Sequence, residues 1–357
     1  MIATPKTALI VAGGTGGHIF PGLSIAHALI AKGWHVEWAG NPLAMEGKLV
    51  PAQGIPLNTL VFAGFRGKGL LAQLLMPLLL LRAFWTSVQI LRRIKPNVVL
   101  GMGGYVAFPM GMMASLLNIP LVVHEQNSIA GLTNKVLAKL ANRNLVAFPG
   151  ALPSAYWVGN PVRDSMVVQD APETRIADRD GPLRMLVLGG SLGAQALNEI
   201  IPLALAKLPE QERPVVIHQA GEKNLTQLIE NYAVADVTVQ ALPFIEDVAQ
   251  AMANADVLIC RAGAMTVAEV AAVGVAALFV PFPYAVDDHQ THNAAFLANE
   301  QAAWVCQQRE LTVDWLVSWL QGLNRSACLE MAKRAKAMAK PQATAEVVMH
   351  IEQVAKA

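Results

Sequence analysis

Cysteine is scarce in this chain: Cys260, Cys306 and Cys328 are widely spaced and form no C-x-x-C pair. An odd number of scattered thiols argues against a disulfide framework and a structural zinc, and reads as reduced cysteine in a cytosolic protein. Charge is scarce as well, at 15% of residues, while 54% are hydrophobic. Even so, no apolar run reaches the roughly 18 residues that a membrane span needs. The richest, Leu70 to Leu81, is interrupted by Gln73 and Pro77 and followed by Arg82. The first apolar stretch runs straight into a glycine loop without a small-residue cleavage pattern, which argues against a signal peptide. No Walker-type lysine follows either glycine loop, so an ATPase reading fails.

Acids are missing from one half. Residues 1–163 contain only Glu37, Glu46 and Glu125 against thirteen Lys and Arg, a formal +10. The remainder carries 14 basic and 23 acidic residues, a formal −9. Between Glu46 and Glu125 stand Lys48, Arg66, Lys68, Arg82, Arg92, Arg93 and Lys95 with no acid among them. A positive half calls for a negative partner: nucleic acid, anionic lipid or a phosphorylated substrate. Few aromatics are interleaved with the bases, which disfavours nucleic acid.

What is present, at 357 residues, is enough for two domains. Strand-like runs at 8–12, 34–38, 58–62, 97–100 and 120–124 alternate with helical patterns such as 22–32 and 70–94. A second series, 184–188, 214–218, 237–240, 256–260 and 276–280, alternates with 194–207 and 264–273. Alternation of this kind predicts parallel sheets covered by helices. The stretch from Gln169 to Pro182 is polar, proline-bounded and without periodicity, so the domain boundary is expected near 163–182. A basic, alanine-rich helix is expected over 325–340, and a last helix after Pro341.

Each series opens with an apolar strand that empties into glycine: Gly13-Gly-Thr-Gly-Gly-His18 and Gly189-Gly-Ser191. Such turns present backbone N–H groups to an anion. The first misses the dinucleotide spacing, since Ile19 stands where the third glycine belongs. Its glycines either make a tight strand–helix turn or approach an anion, with His18 on the helix side. Ser191 either caps a helix or meets a phosphate. A third turn, Gly101-Met-Gly103-Gly104-Tyr105, also follows a strand. Cys260 to Glu269 enters a helix from a strand end, and Glu269 could receive ribose hydroxyls or merely suit the helix dipole. His124-Glu125-Gln-Asn127 and Gly159-Asn-Pro-Val-Arg163 lie at a strand end and before the hinge, where α/β ligand sites form. Asp287, His289 and His292 lack helical ligand spacing, so no metal is expected. The segment from Gly64 to Lys95 joins bases to leucine, Phe84 and Trp85, which suits a helix on an anionic membrane surface or an ordinary core helix.

Taken together, these motifs and Ala130-Gly-Leu-Thr-Asn134 resemble the MurG family, glycosyltransferase family 28, in order and spacing over nearly the whole chain. The resemblance implies a GT-B fold: α/β, two Rossmann-like doubly wound domains with a cleft between them. It implies domains at 1–163 and 183–340, a linker at 164–182, and a closing helix (about 341–357) that returns to the first domain. It further implies an inverting transfer of N-acetylglucosamine (GlcNAc) from UDP-GlcNAc to the 4-hydroxyl of lipid I, undecaprenyl-pyrophosphoryl-MurNAc-pentapeptide. That activity gives lipid II for peptidoglycan, without metal or cofactor. The enzyme would lie at the cytoplasmic face of the bacterial inner membrane, as a peripheral protein near other cell-wall synthesis proteins.

By position, Ile245 would pair uracil through its backbone and Glu269 would take the ribose. Ser191 and the helix start over Ala264, Met265, Thr266, Val267 and Ala268 would handle phosphate and sugar. Gln290, Asn293 and Asn127 would bind GlcNAc, and Arg163 would reach in at the hinge. Thr15, Gly16 and Gly17 would face the acceptor and donor diphosphates, as part of the UDP-GlcNAc site. Gly13, Gly14, Gly103, Gly104 and Tyr105 would meet the acceptor diphosphate. His18 is the first candidate for the base and Glu125 the second. The family often has two glutamines where His289-Gln290 stands, and Leu and Ser where Met265 and Ala268 stand. Alternatives are another GT-B lipid glycosyltransferase, a UDP-GlcNAc 2-epimerase, or a non-catalytic nucleotide-sugar-binding membrane scaffold.

Overall fold

The computed structural model describes residues 5–62, 75–190 and 193–355. Two compact units divide the chain: one runs to Arg163 and is joined by the chain from Pro341 onward, the other spans Asp164–Lys340.

Among the described residues of the first unit, seven strands form one sheet: β1 Thr7–Ala12, β2 His35–Gly40, β3 Leu57–Thr59, β4 Val98–Gly103, β5 Leu121–Glu125, β6 Arg143–Val146 and β7 Tyr156–Trp157. The order is β3-β2-β1-β4-β5-β6-β7 and every pairing is parallel. Both faces of a parallel sheet must be covered, which is why β4 and, after Thr7, β1 are apolar. One face carries Ile25, Ala26 and Leu29 of the helix Gly16–Ala31, together with Val347, Val348 and Ile351 of the last helix, Ala343–Val354. An exposed Lys32–Glu352 ion pair (2.8 Å) borders that contact. The helix begins six residues earlier than its sequence pattern suggests, because Pro21 lies inside it at the cost of one hydrogen bond.

The second unit repeats the plan with β8 Arg184–Leu188, β9 Val215–Gln219, β10 Gln240–Leu242, β11 Val257–Cys260, β12 Ala276–Phe279 and β13 Trp304–Val305, in the order β10-β9-β8-β11-β12-β13. All of its pairings are parallel too. The segment 164–182, expected as a linker, instead forms two short helices, Asp164–Val167 and Pro172–Ile176, within this unit. Its polarity has a structural use. Arg175 donates to the carbonyls of Ala253 (2.6 Å) and Val273 (2.9 Å). Arg179 and Arg325 both bind buried Asp256, at 2.9 and 3.2 Å. The strands β6, β7 and β13 were not marked by the sequence pattern; β6 opens on the polar pair Arg143-Asn144, and β7 and β13 are two residues each.

Helix Met76–Ile94 buries Ala83, Ser87, Ile90 and Leu91 and turns Leu78, Leu81, Arg82 and Trp85 to the surface. The basic-apolar stretch before it, through Leu74, lies outside the described residues. No described helix is long and apolar enough to cross a membrane. The three thiols are buried, and burial raises the pKa of Cys306 to about 11 and of Cys328 to about 12.

Candidate active site

In each sheet the strand order reverses between two neighbours, β1 and β4 in the first unit and β8 and β11 in the second. Loops leaving the carboxyl ends of such a pair are where open α/β sheets hold ligands. The glycine turns are these loops.

In the first unit Thr15 is extended (φ −140°, ψ 154°) and Gly16 and Gly17 open the helix, whose first N–H groups have no partner within it. Glu46, buried, holds the turn by accepting from Gly14 N at 3.2 Å and Asn41 N at 3.0 Å. This corrects the expectation for Gly14: its N–H is committed to a carboxylate, which would also repel a diphosphate. Gly13 is buried beside the same carboxylate. Gly103 ends β4, Gly104 follows with φ +79°, and Tyr105 is exposed next to it.

His18 is half-buried, and its Nδ1 lies 2.7 Å from Gln126 Oε1. Gln126 Nε2 in turn reaches His124 Nδ1 and the His124 carbonyl, both at 3.0 Å. His124 Nε2 meets the carbonyl of Gly159 at 2.9 Å. Full burial lowers the His124 pKa to about 4, so its ring is neutral at neutral pH.

Glu125, the second candidate base, is corrected to a structural role. It is 1% exposed and accepts from Asn127 N (2.9 Å), Asn127 Nδ2 (3.3 Å), Gly131 N (3.1 Å) and Asn134 Nδ2 (2.9 Å). A carboxylate so enclosed has no face to offer a substrate hydroxyl. Asn127 is half-buried and Arg163 exposed.

In the second unit Ser191 lies outside the described residues. Gly190, at φ +78°, is clamped from both sides by Gln219, whose Oε1 accepts from Gly190 N and whose Nε2 donates to Gly190 O, each at 3.1 Å. After β11, Gly263 leads into the helix Ala264–Val273. Ala264 and Val267 of that helix are buried, whereas Met265, Thr266, Ala268 and Glu269 are half-buried. Ile245 is buried in the loop after β10.

Gln290 and Asn293 lie on the helix His289–Ala298. The Gln290 amide oxygen accepts from Ala262 N (3.2 Å) and Phe282 N (2.9 Å). Asn293 has no exposed surface and donates to Ala262 O at 3.2 Å. The expectation that Asn293 touches the sugar is therefore corrected: it supports the loop that would. His289, beside Gln290, turns its Nδ1 to the Val286 carbonyl at 2.7 Å. Among the described residues no group of three or more His, Cys, Asp or Glu is placed to hold a metal ion.

Sequence reading missed Glu46, Gln126, Gln219 and Arg261. Arg261 donates to Val280 O (3.1 Å) and Gln308 Oε1 (2.7 Å) and stacks on Phe282 at 5.6 Å, fixing the loop that leads to Gln290. One signal for Glu46 was available, as it is one of only three acids in the first 163 residues. Gln219 and Arg261 act through main-chain and amide partners that no local pattern marks, and Gln126 acts through His18, which is 108 residues away in sequence.

The family model described as the glycosyltransferase family 28 N-terminal domain matches residues 8–146, and that of the family 28 C-terminal domain matches 184–349. A protein of Cupriavidus pinatubonensis is 60% identical over 98% of this chain and 99% of its own. One from Burkholderia cenocepacia is 59% identical over 97% and 96%. Both are named UDP-N-acetylglucosamine–N-acetylmuramyl-(pentapeptide) pyrophosphoryl-undecaprenol N-acetylglucosamine transferase. The crystal structure of Acinetobacter baumannii MurG superposes with a TM-score of 0.87 at 42% identity, covering 98% of this chain and all of that one. The kitacinnamycin glycosyltransferase, at 18% identity and a TM-score of 0.69, shares the fold. The two Rossmann-like units are those of a GT-B protein.

Proposed function

The chain belongs to glycosyltransferase family 28, and from that premise we propose that it transfers GlcNAc from UDP-GlcNAc to the 4-hydroxyl of MurNAc in lipid I. The product is lipid II, the disaccharide-pentapeptide precursor of peptidoglycan. The observation that carries this reading is near-complete coverage at about 60% identity by relatives bearing that activity in their names.

The acceptor oxygen attacks C1 of GlcNAc from the face opposite the diphosphate, the C1–O bond to UDP breaks, and UDP leaves with the electron pair. His18 takes the acceptor proton, a task suited to imidazole near neutral pH. The start of the helix Ala264–Val273 and Arg163 offset charge growing on the diphosphate. Glu269 holds the ribose hydroxyls, Ile245 the uracil, and Gln290 with Asn127 the sugar. Thr15, Gly16 and Gly17 take the diphosphates, with Tyr105 beside the acceptor.

The enzyme works at the cytoplasmic face of the inner membrane. Support comes from the outward Leu78, Leu81, Arg82 and Trp85 in the +10 half of the chain, the pairing of apolar and basic groups that anionic lipid favours. A scaffold or epimerase has no use for that face together with an acceptor-side histidine.

The test is incubation with labelled UDP-GlcNAc and a lipid I analogue, with chromatography for a disaccharide-lipid. Hydrolysis or epimerisation without disaccharide would overturn the reading.

A further inference from the structure

The amide of Gln126 has only one possible orientation. The atom 3.0 Å from the His124 carbonyl must be nitrogen, because a carbonyl oxygen only accepts. Oε1 therefore faces His18 Nδ1 at 2.7 Å, and that ring nitrogen must carry the proton. At the far end His124 Nε2 faces the carbonyl of Gly159 at 2.9 Å, so it too must be the donor. His124 Nδ1 is then left with a lone pair, which accepts the second amide proton of Gln126 at 3.0 Å. The backbone of Gln126 is itself held, its carbonyl accepting from Asn160 Nδ2 at 3.0 Å. Every donor in this chain meets an acceptor, and two main-chain carbonyls fix the whole sequence.

We propose that Gln126 and His124 are positioning residues that hold His18 in its Nδ1–H tautomer, so that Nε2 presents the lone pair that receives the acceptor's proton. The inference rests on His18 being the base of the reaction assigned above. Imidazole in water favours the opposite tautomer, with the proton on Nε2, so the unaided ring would mostly present a donor where an acceptor is needed. Among the described residues no hydrogen bond engages His18 Nε2. During transfer the acceptor O–H bond breaks and Nε2–H forms, giving an imidazolium. Its Nδ1–H remains bonded to the Gln126 amide, and the proton leaves to solvent after the product departs. A neutral amide orients the ring as the buried carboxylate of a hydrolase triad does, but adds no negative charge. Such a charge would be costly here, where Glu125 is already buried next in sequence. The low pKa of His124, caused by burial, keeps the relay in the form described at neutral pH.

The test is nitrogen-15 spectroscopy of histidine-labelled full-length protein, with kinetics of Gln126→Met. In the wild type the unprotonated nitrogen of neutral His18 should be Nε2. In Gln126→Met it should move towards Nδ1. There kcat should fall about tenfold, less than the roughly 10²–10⁴ carried by a general base, with KM for UDP-GlcNAc within about twofold. A wild-type His18 protonated on Nε2 overturns the proposal without any variant, which covers the case in which Gln126→Met does not fold. An unchanged kcat in a folded Gln126→Met overturns it as well. His18→Gln separates the two levels: normal turnover there removes His18 as base, even if the tautomer is as described.

Discussion

The α-carbon of Gly104 lies so close to the carbonyl of Gly13 that a β-carbon there would overlap the oxygen. The two glycine turns of the first unit are thus one construction. Each approaches the other's backbone at the point where β1 and β4 part company. Gly104→Ala would add a steric conflict to a backbone already at φ +79°. A cost of about 1–3 kcal/mol is expected, with the His18 loop displaced. Thermal melting should fall by several degrees and kcat by more than tenfold. A variant with wild-type melting and turnover would show that the turns are not coupled.

Glu125 and His18 should separate cleanly. Glu125→Gln puts an NH2 group among four N–H donors, leaving like groups face to face. It should destabilise the first unit by about 2–4 kcal/mol and lower activity only in proportion to folded protein. His18→Ala should leave melting nearly unchanged, keep UDP affinity, and reduce kcat by about 10²–10³. Circular dichroism melts alongside steady-state kinetics decide between these patterns.

Asn293→Ala removes the bond to the Ala262 carbonyl without removing a surface that a sugar can touch. Affinity for UDP and for UDP-GlcNAc should fall by the same factor, about three- to tenfold, measured by calorimetry. Loss confined to UDP-GlcNAc would mean that the amide does reach the sugar.

The outward face of helix Met76–Ile94 is testable by vesicle sedimentation. Serine at Leu78, Leu81 and Trp85 together should cut binding to anionic vesicles at least tenfold, while turnover with a short-chain soluble acceptor is kept. Equal vesicle binding by the variant would place the contact elsewhere.

Stability should decline in mild acid. Burial lowers the pKa of His124 to about 4 and of His218 to about 3, against about 6.5 in an unfolded chain. Below pH 6.5 the unfolded state takes up protons that the folded state refuses. The contribution of both neutral rings is therefore complete above that pH and is lost as pH falls towards the folded values. Each adds a slope of about 1.4 kcal/mol per pH unit. Urea unfolding at pH 7, 6 and 5 should show it, and His218→Gln should flatten it for the second unit. His218 sits between Tyr232 Oη (3.0 Å) and Asn198 Oδ1 (3.1 Å), so the variant will also be less stable throughout.

Much of the architecture was readable in the chain itself. Long apolar strands such as Arg184–Leu188 and the helix Ala264–Val273 fall where periodicity places them, since their burial is dictated by composition. The charge split and the paired glycine turns likewise belong to the sequence, because both are local. Tertiary structure decided the rest. It made Glu125 a support rather than a base and Asn293 a support rather than a sugar ligand, gave Gly14 N–H to Glu46, and turned the polar stretch 164–182 into a clamp built on Arg175, Arg179 and Asp256. It also set His18 against Gln126, 108 residues away. A side chain's chemistry depends on which donors and acceptors surround it, and those come from strands that meet only in the folded sheet.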